Sequence, residues 1–172
     1  RHKFAPQGLF GGQPGACGAF VLNPGTAAEA ALKSKGLDTL AAGDLVAGIG
    51  TIIVQPPRGD MAAYLASLDR MIALAPTVLL PSHGPATTDA VARLEAYKAH
   101  RLAREAKVVA ALDAEEPRSL GAITAVAYDD VPAGFHPLAE GAVHAHLLKL
   151  EAEGRVVATS TGYAAPRPAG GR

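Results

Sequence analysis

Thr77-Val78-Leu79-Leu80-Pro81-Ser82-His83-Gly84-Pro85 is the stretch on which the fold turns. A four-residue apolar run reads as a buried strand, and it empties directly into a loop stiffened by two prolines. His83 therefore leaves the strand on a restrained backbone, with little freedom to lose on taking a partner. Such a loop can present a neutral imidazole to a metal. Read from the residues alone, a surface histidine in an ordinary turn is the favoured reading of His83.

The flanks of that strand are helical. Before it, Met61, Tyr64, Leu65, Leu68, Met71 and Ile72 recur at helix spacing, which predicts one apolar face. Asp60 is placed to cap this helix and Pro76 to end it. After the loop, a longer helix is expected from Thr87 or Thr88 to about Leu112. Arg93, Lys98, Arg101, Arg104, Glu105 and Lys107 are expected on its outer face. Upstream, Leu45 to Val54 is rich in Val and Ile and is expected to form a loop and a strand. Helix, strand, loop and helix together make an α/β arrangement.

Beyond the linker Glu115-Glu116-Pro117 the pattern changes. A helix is expected at Ser119–Tyr128, a turn at Val131–Gly134, and a second helix from Pro137 to Glu153 with Gly154 just past its end. Val156-Val157-Ala158 follows as a strand leading to Gly162-Tyr163. Helix, turn, helix and strand outline a winged helix. The tail 161–172 reads as a Pro/Gly/Arg-rich disordered end.

Composition sets the outer limits. The chain has 172 residues, with 16 Lys+Arg against 16 Asp+Glu and a single cysteine, Cys17. Zero net charge argues against a basic nucleic-acid tail, and one cysteine cannot form an internal disulfide. Of the residues counted as hydrophobic, 37 are alanine, so the core is lighter than the total suggests. No apolar run reaches the length of a membrane span, and a cytoplasmic location is the matching expectation. The chain starts at Arg1 rather than Met, which reads as a fragment of something longer.

Four segments together resemble the metallo-β-lactamase superfamily, and within it the beta-lactamase-like protein 2 branch. They are Ala42-Gly43-Asp44-Leu45-Val46-Ala47-Gly48-Ile49-Gly50-Thr51, Asp60 to Leu68, Pro81 to Pro85, and Ala99-His100-Arg101 with Arg104-Glu105. The likeness spans roughly residues 42–160 and includes His146-Leu147-Leu148-Lys149-Leu150 and Glu153-Gly154-Arg155-Val156. It implies a partial αββα hydrolase fold over 43–114, followed by a winged-helix domain over 115–160. It also implies two zinc ions, with Asp44 as the carboxylate between them and His83 as a ligand of the second. In that family a hydroxide held on the metal attacks an ester, thioester, lactam or RNA phosphodiester. The family's His-x-His-x-Asp-His signature is absent, as is the histidine expected ahead of Gly43-Asp44. His144-Ala145-His146 is no substitute, because i and i+2 face different sides of a helix. Two ligands do not close a zinc site, and the expectation is a chain that is inactive as it stands.

Residues 1–42 point elsewhere. Arg1-His2-Lys3-Phe4-Ala5-Pro6-Gln7-Gly8-Leu9-Phe10-Gly11-Gly12, Phe20-Val21-Leu22-Asn23-Pro24-Gly25 and Ser34-Lys35-Gly36 resemble the C-terminal end of the hydantoinase B/oxoprolinase family. The two resemblances overlap on Ala42-Gly43-Asp44-Leu45-Val46, so a join of two unrelated fragments is one reading. The glycines of 8–15 are no phosphate loop, since the Gly-Lys-Ser/Thr ending is missing. Three functions compete: a fragment of a zinc hydrolase acting on a small molecule or RNA, a winged-helix module binding nucleic acid or protein, and a non-functional chimera. Autonomous DNA binding is disfavoured, because helix 137–153 sets Lys149 alone against Glu140, Glu151 and Glu153. Arg101 and Glu105 are expected to form a simple surface pair one helical turn apart.

Overall fold

The structure is a computed structural model and describes residues 39–47 and 49–167. It falls into two compact units: residues up to Ile52 together with Ala62–Ala99, and Ile53–Met61 together with His100 onward. The hydantoinase-like motifs at 1–12, 20–25 and 34–36 lie outside the described residues, as does the tail from 168; the expected disordered end at 161–172 is corrected at its start, where Gly162–Ala164 is a strand paired with Val157–Thr159.

The first unit is a β-α-β turn of chain. Strand β1 (Thr39–Gly43) pairs in parallel with β2 (Val78–Pro81), in the register Thr39↔Val78, Leu40↔Leu79 and Ala41↔Leu80. A parallel pair needs a crossover, and helix α1 (Met61–Ala73) supplies it. Its predicted stripe is the buried one: Met61, Tyr64, Leu65, Leu68 and Met71 are all in the core. Just past the helix end, Ala75 takes a left-handed φ of 48° and donates its N–H to Ile72 O at 2.9 Å. Pro76 then prevents any continuation.

Two expectations shift here. The described residues of 45–54 contain no strand; the strand lies earlier, at 39–43. Gly43 turns the chain at φ 56°, and Leu45 N–H bonds back to Ala42 O at 3.1 Å. The apolar Leu45, Val46 and Val54 are buried as loop residues, each only 1% exposed, so Val and Ile content marked burial rather than pairing. Helix α2 (Ala90–Ala110) starts two to three residues late. Thr87 is held by Leu79 instead, through a reciprocal pair of backbone hydrogen bonds of 2.9 and 3.1 Å.

The second unit packs α3 (Leu120–Ala127) and α4 (His136–Ala152) with the hairpin β3 (Val157–Thr159) and β4 (Gly162–Ala164). Its core is Val108, Ala111, Ile123, Ala127, Val143, Leu147, Leu150 and Val156. Ser119 caps α3 by accepting from Ala122 N–H at 3.3 Å. Gly154 closes α4 at φ 70°, and Arg155 N–H reaches back to Leu150 O at 2.8 Å, the helix stop expected from the sequence. Arg118 exchanges two 2.9 Å backbone bonds with Tyr163 beside the hairpin. A Cβ on Gly162 would stand 2.2 Å from Arg118 O, so only glycine fits this crossing.

Candidate functional site

Parallel strands point their C-terminal ends the same way, and residues that follow them are brought together. Asp44 follows β1 and His83 follows β2, and their side chains meet: His83 Nε2 lies 3.6 Å from Asp44 Oδ1. The ladder is extended by Ser82 N–H donating to Gly43 O at 2.9 Å, which fixes the two loop starts against each other. Both side chains remain open to solvent, His83 at 83% and Asp44 at 57%.

That geometry suits two ligands of one ion. Zinc binds imidazole nitrogen and carboxylate oxygen at about 2.0–2.2 Å, so two of its tetrahedral ligands stand roughly 3.3–3.6 Å apart. The pair fits zinc as one nitrogen and one oxygen donor. Among the described residues no cluster of three or more His, Cys, Asp or Glu is placed to hold a metal, so they do not by themselves close a site.

The chain after Asp44 is tied down by side chains from both helices. Tyr64 on α1 donates its hydroxyl to Leu45 O at 3.1 Å. Tyr97 on α2 accepts from Ala47 N–H at 3.1 Å, and its hydroxyl lies 2.9 Å from Ala47 O and 2.7 Å from Gly50 O. Arg93 donates to Ala47 O at 3.1 Å and lies over the Tyr97 ring. A cavity of about 220 Å³ opens beside this segment, lined by Val46, Ala47, Leu79, Pro81, Pro85 and Arg93 among others. Sequence reading placed Tyr64 on an apolar face and passed over Tyr97. The only available signal was a buried position carrying a hydroxyl that needs a partner.

The His-Arg-x-x-Arg-Glu run of α2 overturns its expectation. Arg101, Arg104 and Glu105 are not on an outer face: they are 3%, 8% and 5% exposed. Arg104 holds Asp130 at 2.7 Å, donates to Ala127 O at the end of α3, and lies over the Tyr128 ring at 4.0 Å. Glu105 receives Lys149 at 3.0 Å, Arg155 at 3.3 Å and His146 Nδ1 at 3.2 Å. Burial alone would push the Glu105 carboxyl up, but hydrogen bonds from His146 and Lys149 outweigh it and hold it at about 2. Burial lowers His100, helped by the charges of Arg101 and Arg104. A helical wheel cannot show this, because the partners lie 23 to 50 residues away. His146 is fully buried and serves the fold, as expected, while His144 sits 6.5 Å from the Tyr163 ring. His136 Nε2 is 3.1 Å from both Tyr128 O and Val131 O, so it fastens the turn between α3 and α4.

No described helix is long and apolar enough to cross a membrane. Comparison with known proteins agrees with the architecture. Residues 119–164 match the family model of the beta-lactamase associated winged helix domain. The chain is 28% identical over 138 residues to a beta-lactamase-like protein 2 homolog of Drosophila melanogaster, covering 79% of this chain and 46% of that protein. It is also 28% identical over 133 residues to the Caenorhabditis elegans homolog, covering 77% and 44%. The chain thus spans a little under half the length of the curated relatives it matches. Among solved structures, a beta-lactamase domain protein from Burkholderia ambifaria matches with TM-score 0.63 at 29% identity, over 74% of this chain and 41% of that one. A metallo-beta-lactamase family protein from Thermus thermophilus matches with TM-score 0.61 at 24% identity, over 78% and 43%. The fold is therefore a mixed α/β arrangement like that of metallo-β-lactamase proteins, followed by a β-lactamase-associated winged helix.

Proposed function

We propose that this chain contributes part of a zinc-dependent hydrolytic centre, with Asp44 and His83 as two of its ligands. The observation that carries the reading is their convergence to 3.6 Å at the ends of two paired parallel strands. Bound zinc would supply Lewis-acid polarisation of a scissile carbonyl or phosphoryl group. The chain's own part is to offer an anionic oxygen and a neutral nitrogen from restrained loops. Esters, thioesters, lactams and RNA phosphodiesters are the substrate classes that this chemistry serves. Further ligands must come from outside the described residues, and the chain alone is expected to hold zinc weakly and to turn over nothing.

The test is zinc content after dialysis, with turnover of a chromogenic lactam, a thioester and a short RNA. Less than one zinc per chain and no turnover is the expected result. One or two tightly held zinc ions, or turnover abolished by His83→Ala, would show that this chain completes its own centre. A nucleic-acid role for the winged helix draws no support from α4. Its Lys149 is engaged by Glu105 at 3.0 Å and Glu153 at 2.8 Å, leaving that base neutralised rather than offered to phosphate.

A further inference from the structure

An exposed histidine–carboxylate contact has no packing of its own to fix it. Side chains as open as His83 and Asp44 would sample several rotamers, and an exposed pair of this kind is worth only about 0–1 kcal/mol. Whatever holds Asp44 toward His83 must therefore act through the backbone. On its N-terminal side that backbone is fixed by the strand ladder, ending at Ser82 N–H to Gly43 O. On its C-terminal side the described segment from Leu45 is loop, outside the ladder. Tyr64, Tyr97 and Arg93 take the ladder's place there. They engage Leu45 O, both backbone groups of Ala47, and Gly50 O. Tyr64 and Tyr97 are 3% and 6% exposed; the Tyr64 bond to Leu45 O is buried and the Tyr97 bonds are partly so, and losing the Tyr97 hydroxyl takes the partner from Ala47 N–H.

We infer that Tyr97, supported by Tyr64 and Arg93, is a positioning residue for the Asp44 carboxylate: it clamps the segment after Asp44 as a strand would, and so sets the Asp44–His83 separation. The inference rests on the reading of Asp44 and His83 as paired donors, and it adds the residues that make the pair a pair. None of the three touches the donors in its role; each acts through main chain.

The test is zinc affinity of the intact chain, followed by zinc titration and by the zinc-induced shift of the His83 ring resonances. Thermal unfolding is measured alongside. Tyr97→Phe is expected to bind zinc about five- to ten-fold more weakly, the equivalent of one lost sheltered hydrogen bond, and to shrink the His83 shift. Tyr64→Phe is expected to do the same by a smaller factor. Lys98→Met, which removes the exposed Lys98–Asp69 contact in the same unit, is expected to leave zinc affinity unchanged. If His83→Ala does not alter zinc binding, the paired-donor reading itself fails. If His83→Ala abolishes it while Tyr97→Phe and Tyr64→Phe both stay within two-fold of the parent, the donors stand and the clamp is overturned. Should Tyr97→Phe unfold, Tyr64→Phe alone decides by the same two-fold criterion.

Discussion

Asp44–His83 and Glu105–His146 are both a carboxylate beside an imidazole, at 3.6 and 3.2 Å, and they differ in almost everything else. The first pair is open to water and has two members. The second is sealed, with His146 at 0% and the Glu105 side chain at 7% exposure, and Lys149 and Arg155 share the same carboxylate. Burial makes the second pair obligatory, since a charge out of water must be compensated on every side. Exposure leaves the first pair weak in itself and available to something that arrives from solution. Identical side-chain chemistry thus serves the fold in one unit and is open to a ligand in the other.

Breaking the buried pair should have the largest effect. Glu105→Ala leaves His146 without its carboxylate and Lys149 and Arg155 with Glu153 alone, and about 3–5 kcal/mol of stability is expected to go. Urea denaturation of the parent and variant measures it. A loss below about 1 kcal/mol would mean that the cluster is wet and that the contrast with Asp44–His83 is overstated.

Acid should reach the same cluster by another route. Glu105 has its ordinary value near 4.5 unfolded and about 2 folded. A depressed carboxyl stabilises the native state above the unfolded value and loses that contribution as pH falls toward the folded one. Stability is therefore expected to drop between about pH 5 and pH 2, by roughly 3 kcal/mol in all. In Glu105→Gln this part of the pH profile should flatten. His100 has its pKa lowered, so it acts in the same direction, its neutral form being favoured by folding.

The hairpin offers a smaller test that involves no charge. Gly162→Ala forces a methyl group toward Arg118 O, 2.2 Å from the ideal Cβ position, and about 1–3 kcal/mol of destabilisation is expected from the combined strain. Denaturant unfolding reads it. A neutral result would show that the Arg118–Tyr163 bridge can slide, making this unit less rigid than its buried cluster suggests.

Much of this architecture was legible in the chain, for reasons that differ by element. The stripe of α1, the stop at Gly154 and the two winged-helix helices follow from periodicity and capping, which are local. So was the presentation of His83, because Pro81 and Pro85 restrict the backbone whatever lies nearby. The strand at Thr39–Gly43 was not legible. Thr-Leu-Ala-Ala-Gly carries little β preference and pairs because β2 is there to receive it. The burial of Arg104 and Glu105 was hidden for the same reason, since each depends on partners far along the sequence. Tyr97 was missed because a tyrosine on an apolar stripe looks like core until its hydroxyl is traced to Ala47 and Gly50.

The smallest stability effect is expected at the exposed pair. His83→Ala removes a side chain that is 83% exposed and Asp44→Asn the charge of one that is 57% exposed, and each should shift unfolding by no more than about 0.5 kcal/mol. Zinc binding, in contrast, should fall for both. That dissociation is the sharpest form of the comparison, because Glu105→Ala should do the reverse where it can be measured: unfold the protein readily without removing either donor. If His83→Ala instead costs as much stability as Glu105→Ala, then His83 is held by the fold. The 3.6 Å contact would then be one more structural ion pair, and the reading of Asp44 and His83 as ligands would lose its physical basis.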